Sequence, residues 1–474
     1  MTGPLRGSNG VAFGPDGRLY VCEFLAGRIS AVDPATGDVE TIVAPGGLVQ
    51  SPDDLAFDSN GVMYITDLVP GRVWRRGPDG TLTLVTDQVR LPNGITCLGE
   101  RLFVNEMIPG GRLLELRADG PAELTGGLAM GNAMQIGPDG HLYYPHMLTG
   151  EVHRISPDGG APELVAADVH EPVAVRFDLA GTLLVVSRGA EGIVTRIDGD
   201  RRTLISSGIT GLDNAAVDSD NRMYVSSYAG GGIAELHPDG RTRDIVPRGY
   251  AGPYGITIDL AGTVHVADHY RLGDELIRFA HDVAADGNLL HVTSQYGQVQ
   301  TYDRGTRRTR MRATGLDRPL GIAVRPDGTL LVAESGAGRI LTIGPDDSIG
   351  LLAEGLGRPA GIAGDYFSDE EHGTVHRLTD TGPELVADGL DTPQGLAVHN
   401  DRMFIVEAGK RRLLSVDLRT GDTRTERDLD LPARREVALT AHGMPGVPQP
   451  YAGIAVAPDG TLHVAADGHV LELS

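Results

Sequence analysis

Lysine is almost missing from this chain: the only one is Lys410. With one amine side chain, Schiff-base chemistry has little to draw on. Cysteine is nearly as scarce, with only Cys22 and Cys97, so a disulfide framework is excluded as the stabilising device. Aromatic residues make up 5% and include a single Trp. No apolar run reaches membrane-spanning length. The first residues, MTGPLRGSNG, lack the basic-then-apolar pattern of a secretory leader. The expectation is a cytoplasmic protein with no membrane partner. Positive charge is also in deficit, and the formal net charge is -23. A surface that acidic repels phosphate backbones, so nucleic acid is not an expected partner, and a small-molecule substrate is.

What the chain has in abundance is turn chemistry, with 66 Gly and 29 Pro in 474 residues, and 41% hydrophobic residues to build a core. This glycine and proline content lies below the range of disordered chains, and many tight turns account for it. Self-similarity explains why the turns are needed. One unit reads NGVAFGPDGRLYVCEFLAGRISAVDPATGDVETIV from Asn9, and another reads LGIAVRPDGTLLVAESGAGRILTIGPDDSIGLLA from Leu320. Each holds four short runs rich in Val, Ile, Leu and Tyr, separated by PDG, AGR or PxTG turns, which is strand composition.

The residue before each GIAV-like run is a convenient landmark. It falls at Asn9, Asp53, Asn93, Asn132, Val173, Asp213 and Tyr254, then at Phe279, Leu320, Ala360, Gln394 and Ala452. A repeat of about 40 residues with four strands describes a propeller blade. Propellers typically hold four to eight blades. About twelve units therefore predict an all-β chain of tandem β-propellers, two rings of six four-stranded blades. The boundary is expected near residue 250, giving domains 1–250 and 251–474. The stretch 254–320 is irregular and predicts a short blade. The last unit shows three strands, and its fourth is expected to be missing or supplied from elsewhere. The insertion LPARREVALTAHGMPGVPQP (431–450) reads as a surface loop, with a cap over a channel mouth as the alternative.

In a propeller the landmark begins the innermost strand and sits at one end of the central channel. In the first half the ring reads Asn9, Asp53, Asn93, Asn132, Val173, Asp213, so five of six positions carry a side-chain oxygen. In the second half it is mostly apolar. Converging amide and carboxylate oxygens suit a hard divalent cation, Ca²⁺ or Mg²⁺. The competing explanation is that Asn and Asp cap turns, which they do well. Near the ends of the second strands stand Glu23, Asp67, Glu106, His146, Arg188 and Tyr228. The acids recur in the second half at Asp268, Glu334 and Glu407 and read as a fold feature. His146 and Arg188 depart from the repeat: a histidine can serve as general base and an arginine can hold an oxyanion or carboxylate.

SPDDLAFDSNGVMYITD (51–67), LPNGITCLGERLFVNE (91–106) and GLDNAAVDSDNRMYV (211–225) resemble segments of the senescence-marker-protein/gluconolactonase family of six-bladed propellers. The resemblance covers residues 8–250. It implies one divalent metal held by a Glu, two Asn-type positions and an Asp, and hydrolysis of sugar lactones and related esters. Under it, Asn93 and Asp213 match metal ligands in type, and Asp53 occupies an Asn position. Asn9 stands where a Glu is expected, which removes one carboxylate, and Asn132 has no counterpart. RPLGIAVRPDGTLLVAESGAGRI in the second half resembles NHL repeats, often binding platforms. Virginiamycin B lyase is similar in general repeat style.

Three functions follow as alternatives. One is a metal-dependent lactone or ester hydrolase in which Asp213 or His146 takes a proton. Another is a lyase, cyclase or isomerase acting on a larger metabolite. The last is a binding scaffold without activity.

Overall fold

The computed structural model describes residues 5–252, 254–273, 275–277, 279–431, 447–466 and 468–473. Most of the 431–450 insertion therefore lies outside the described residues. The fold is all-β. Apart from one 3₁₀ turn at Ser335–Ala337, no helix occurs among the described residues, and none is long and apolar enough to cross a membrane. The described residues form twelve antiparallel sheets, each built from consecutive strands in chain order; ten have four described strands and two have three.

One compact unit reaches to Ala251 and a second begins at Gly252. In the first, the innermost strands are Ser8–Phe13, Pro52–Phe57, Pro92–Leu98, Gln135–Ile136, Pro172–Phe177 and Leu212–Val217. Each packs on the next, and the sixth packs on the first, so the ring closes. The Ser226 hydroxyl of the sixth blade marks the closure by donating to the Asn9 carbonyl at 2.6 Å. In the second unit the innermost strands are Ile256–Ile258, Asp282–Asp286, Pro319–Val324, Pro359–Ala363, Pro393–His399 and Ile454–Val456, again in a closed circuit. Here the Gly453 N–H donates to the Tyr254 carbonyl at 3.0 Å.

The repeated glycine after the landmark has a packing cause. Inner strands converge on the axis so closely that a Cβ on Gly321 would stand 2.1 Å from the Ala360 carbonyl oxygen. Between blades the core is a set of apolar layers. Val11, Leu19, Tyr224 and Ile233, for example, join the first blade to the sixth.

The short blade expected in 254–320 is the one at Ile256–Leu272, whose third strand is only Arg271–Leu272. This shortening displaces the sequence landmark. The inner strand of the next blade starts at Asp282, so the equivalent position is His281, not Phe279. The last blade has three described strands, ending at His469–Leu473.

The acids at the ends of the second strands are structural. Glu23 accepts from the Arg6 N–H at 2.8 Å and pairs with Arg28. Asp67 accepts from Ser51 N–H at 2.7 Å, Glu334 from Asp317 N–H at 2.7 Å and Glu407 from Asp391 N–H at 2.8 Å. Each ties the incoming loop to a strand end. Glu106 is buried, yet hydrogen bonds from Arg112 and Arg90 hold its carboxyl down at about 2. In the fifth and sixth blades the equivalent residues are Ser187 and Ser227, and Arg188 and Tyr228 lie one position beyond.

Candidate functional site

The first ring places Asn9, Asp53, Asn93 and Asp213 at the start of four inner strands, around the mouth of one channel. Leu91, with φ 44, turns the chain sharply before Pro92 and delivers Asn93 to the axis. Asn93 is buried, and its Nδ2 donates to Asp53 Oδ1 at 2.8 Å. Asn9 also hydrogen-bonds the Asp53 carboxylate from the neighbouring blade. Both amides turn their nitrogens to the acid and leave their oxygens over. Asn9 Oδ1 and Asn93 Oδ1 are buried with no partner among the described residues. Orphaned buried acceptors are uncommon and each needs a cause.

The acids at this mouth perturb one another. Burial, then the Asp213 and Asp54 charges, push the Asp53 carboxyl well above its ordinary range, against the two amide hydrogen bonds. Burial and Asp54 raise Asp213 to about 7, with Arg188 and Arg176 opposing.

Deeper in the channel lies a layer that the landmark analysis missed. Asp54 and Asn214 occupy the position that is glycine in most repeats, and Arg176 sits on the inner strand of the fifth blade, all buried. The Arg176 guanidinium donates to Asn214 Oδ1 and, through Nε at 2.7 Å, to the Ala215 carbonyl. Asn214 Nδ2 donates to Asp54 Oδ1 at 3.2 Å. Burial raises Asp54 to about 6, opposed by Arg176. The signal was present in the repeat, since replacing a glycine that packs against a neighbouring backbone forces a side chain into the channel.

Three carboxylates and one fully buried guanidinium leave this channel short of positive charge. Two amide oxygens, on residues whose nitrogens both bind Asp53, are buried there without a partner among the described residues. That donor set fits a hard divalent cation, and Asn9, Asp53, Asn93 and Asp213 are the residues that would hold it.

Two expected members are arranged differently. Asn132 turns its Oδ1 back onto the Ala133 N–H at 2.7 Å and its Nδ2 toward Met147 Sδ at 3.1 Å, so its oxygen is already engaged. His146 packs on its own blade, its ring stacked on His153 with centroids 4.3 Å apart. Burial and His153 lower its pKa to about 4, against Glu151. Arg188 binds Glu171 through Nε at 3.0 Å and is close enough to Asp213 to stabilise its charge.

The same layer of the second ring reads Tyr254, His281, Leu320, Ala360, Gln394 and Ala452. Tyr254, Leu320, Ala360 and Tyr451 form a buried cluster there. Gln394 is spent on Glu370 at 2.8 Å and on the Ala452 N–H at 2.9 Å.

No family profile matches the chain. By sequence it is 28% identical over 204 residues to a gluconolactonase of Zymomonas mobilis, a match that covers 35% of this chain and 56% of that protein. The chain thus spans about half the length of the curated relative it matches. Among solved structures, a streptogramin B lyase aligns with a TM-score of 0.42 at 19% identity, covering 56% of this chain and 91% of that one. A calcium-binding regucalcin from Agrobacterium tumefaciens aligns with a TM-score of 0.40 at 19% identity, covering 47% and 82%. In sequence the chain is similar to a gluconolactonase over part of its length, as the resemblance read from its motifs implies.

Proposed function

We propose that the protein is a divalent-metal-dependent hydrolase of a small lactone or ester, acting at the mouth of the first channel. The observation that carries this is the pair of buried, unpartnered amide oxygens, Asn9 Oδ1 and Asn93 Oδ1, beside the Asp53 and Asp213 carboxylates. A divalent ion, Ca²⁺ or Mg²⁺, would supply Lewis-acid polarisation of the substrate carbonyl when bound.

The chain's own residues supply the rest. Asp213, raised to about 7 by burial and Asp54 in the metal-free protein, would be kept ionised by the bound cation and so able to take a proton from an attacking water. Asp53 is held by the Asn9 and Asn93 amides and stays fixed while the proton moves. Arg188, beside Asp213 and only partly covered, offers a guanidinium to the carboxylate that ring opening releases. Arg176 and Asn214 keep Asp54 oriented and carry no proton themselves.

The related reading, a lyase or cyclase, is favoured by Asn9 standing where the resemblance expects a glutamate. The same Asp213 would then remove a proton from carbon.

The test is hydrolysis of a panel of sugar lactones in H₂¹⁸O, with and without Ca²⁺ or Mg²⁺. The expected result is cation-dependent release of hydroxy acid carrying ¹⁸O. Turnover without ¹⁸O would replace hydrolysis by the second reading. No turnover of any lactone, with no bindable divalent ion, would leave a binding scaffold.

A further inference from the structure

Several blades end their second strand on a buried acid that binds an arginine five or six residues later. Glu23 takes Arg28, Glu106 takes Arg112, Glu334 takes Arg339 and Glu407 takes Arg412. The fourth blade reverses the pair. Its strand Leu142–His146 ends on a histidine, and Glu151, directly opposite in register, opens the strand Glu151–Ile155.

The reversal does not rebuild an ion pair. His146 Nδ1 lies 3.8 Å from Glu151 Oε2, beyond hydrogen-bond reach. His146 Nε2 is buried with no partner among the described residues. A third ligand-type group joins from the same strand as Glu151: His153 Nε2 stands 3.1 Å from the same Glu151 oxygen. One ligand atom from each of the three residues lies within 4.8 Å of the other two. Ring packing with Tyr144 accounts for how the imidazoles stack, but not for a buried imidazole nitrogen left without a partner.

We propose a second metal site at one end of the two middle strands of the fourth blade, in which His146, Glu151 and His153 bind a transition ion of the Zn²⁺ class. Two imidazoles and a carboxylate are a donor set for Zn²⁺ and its neighbours, whereas the channel offers only oxygens. Tetrahedral coordination at about 2.0–2.2 Å brings ligand atoms to roughly 3.4 Å apart, within reach of small side-chain rotations. Three protein ligands leave a fourth position open. The Thr149 hydroxyl donates to Glu151 Oε2 at 2.8 Å and orients the carboxylate, as outer partners of metal ligands do. The site is independent of the channel reading, although Met147, the next residue, touches Asn132 at the channel mouth.

The test is titration of metal-stripped, untagged full-length protein with Co²⁺, read by its visible absorption, with excess Ca²⁺ present. One equivalent of Co²⁺ is expected to give a band that Zn²⁺ abolishes. His153→Gln and Glu151→Gln are each expected to weaken Co²⁺ binding at least about tenfold, with far-ultraviolet circular dichroism unchanged. Asp213→Asn is expected to leave it as in the wild type. No cobalt band in the wild type, or a loss of less than tenfold in a folded His153→Gln variant, overturns the proposal. A band lost in Asp213→Asn but kept in His153→Gln also overturns it, and leaves the channel site standing. Loss of lactone turnover in Asp213→Asn with the band intact separates the two sites in the other direction.

Discussion

The two rings share one backbone plan and differ in what stands on the axis. Each places a carboxylic acid near its channel, raised by desolvation to about 7: the partly buried Asp213 in the first ring, the buried Asp282 in the second. Their surroundings divide them. Asp282 is satisfied by backbone, accepting from the Val283 N–H at 2.9 Å and the Ile322 N–H at 3.1 Å. Around the first channel stand two amide oxygens with no partner among the described residues, their nitrogens on Asp53, and a further acid at Asp54. A raised pKa alone therefore marks burial, and since the buried His281 beside Asp282 also lacks a partner among the described residues, what sets the first ring apart is unpaired oxygens grouped with several carboxylates.

The sharpest way to break this comparison is to remove each acid in turn. Asp213→Asn is expected to lower kcat for lactone hydrolysis by about 10²–10⁴-fold, the range for loss of a general base. Asp282→Asn is expected to leave it unchanged. Equal losses would erase the distinction. The next effect is on the cation. Asn93→Ala removes one free oxygen, and isothermal titration with Ca²⁺ is expected to show affinity reduced about 10–100-fold. Gln394→Ala in the second ring is expected to have no effect on it. Arg188→Ala is expected to lower kcat about tenfold with KM little altered, because its guanidinium meets a carboxylate that forms only as the ring opens.

The smallest effect is on stability, and it separates the rings by its response to cation. An acid whose folded pKa is raised from 3.8 to about 7 binds more protons folded than unfolded across that interval. Stability falls as pH rises between those values, and is lowest above the folded pKa. Metal-free protein is therefore expected to melt at lower temperature at pH 8 than at pH 5. Adding Ca²⁺ at pH 8 is expected to restore about 5 °C in the wild type and nothing in Asp213→Asn. Asp282→Asn is expected to raise the melting temperature at pH 8 with or without Ca²⁺.

The ring architecture was legible because close approach at the axis forces a small residue after the landmark, and that constraint repeats through the chain. Where the constraint lapsed, so did the register. The two-residue strand Arg271–Leu272 shortens its blade, the spacing falls well below the repeat, and the landmark read from the local run falls on Phe279 and not on His281. Asn9, Asp53, Asn93 and Asp213 were legible as a break in the pattern between halves. Asp54 and Asn214 were equally visible as replaced glycines and were passed over. Asn132 could not be read from sequence: its amide orientation depends on the sulfurs of Met107 and Met147, brought beside it by folding. His146 was visible as a departure from the repeat, but its direction, toward Glu151 and His153 and away from the acids of the channel, follows from strand register.

The most direct measurement is a crystal structure of the protein soaked with Mn²⁺ as an anomalous stand-in for Ca²⁺ or Mg²⁺. The expected result is an anomalous peak at the first channel mouth, with Asn9, Asp53, Asn93 and Asp213 oxygens around it and none on the axis of the second ring. A first channel without that peak, its two asparagine oxygens satisfied by water alone, would contradict the account.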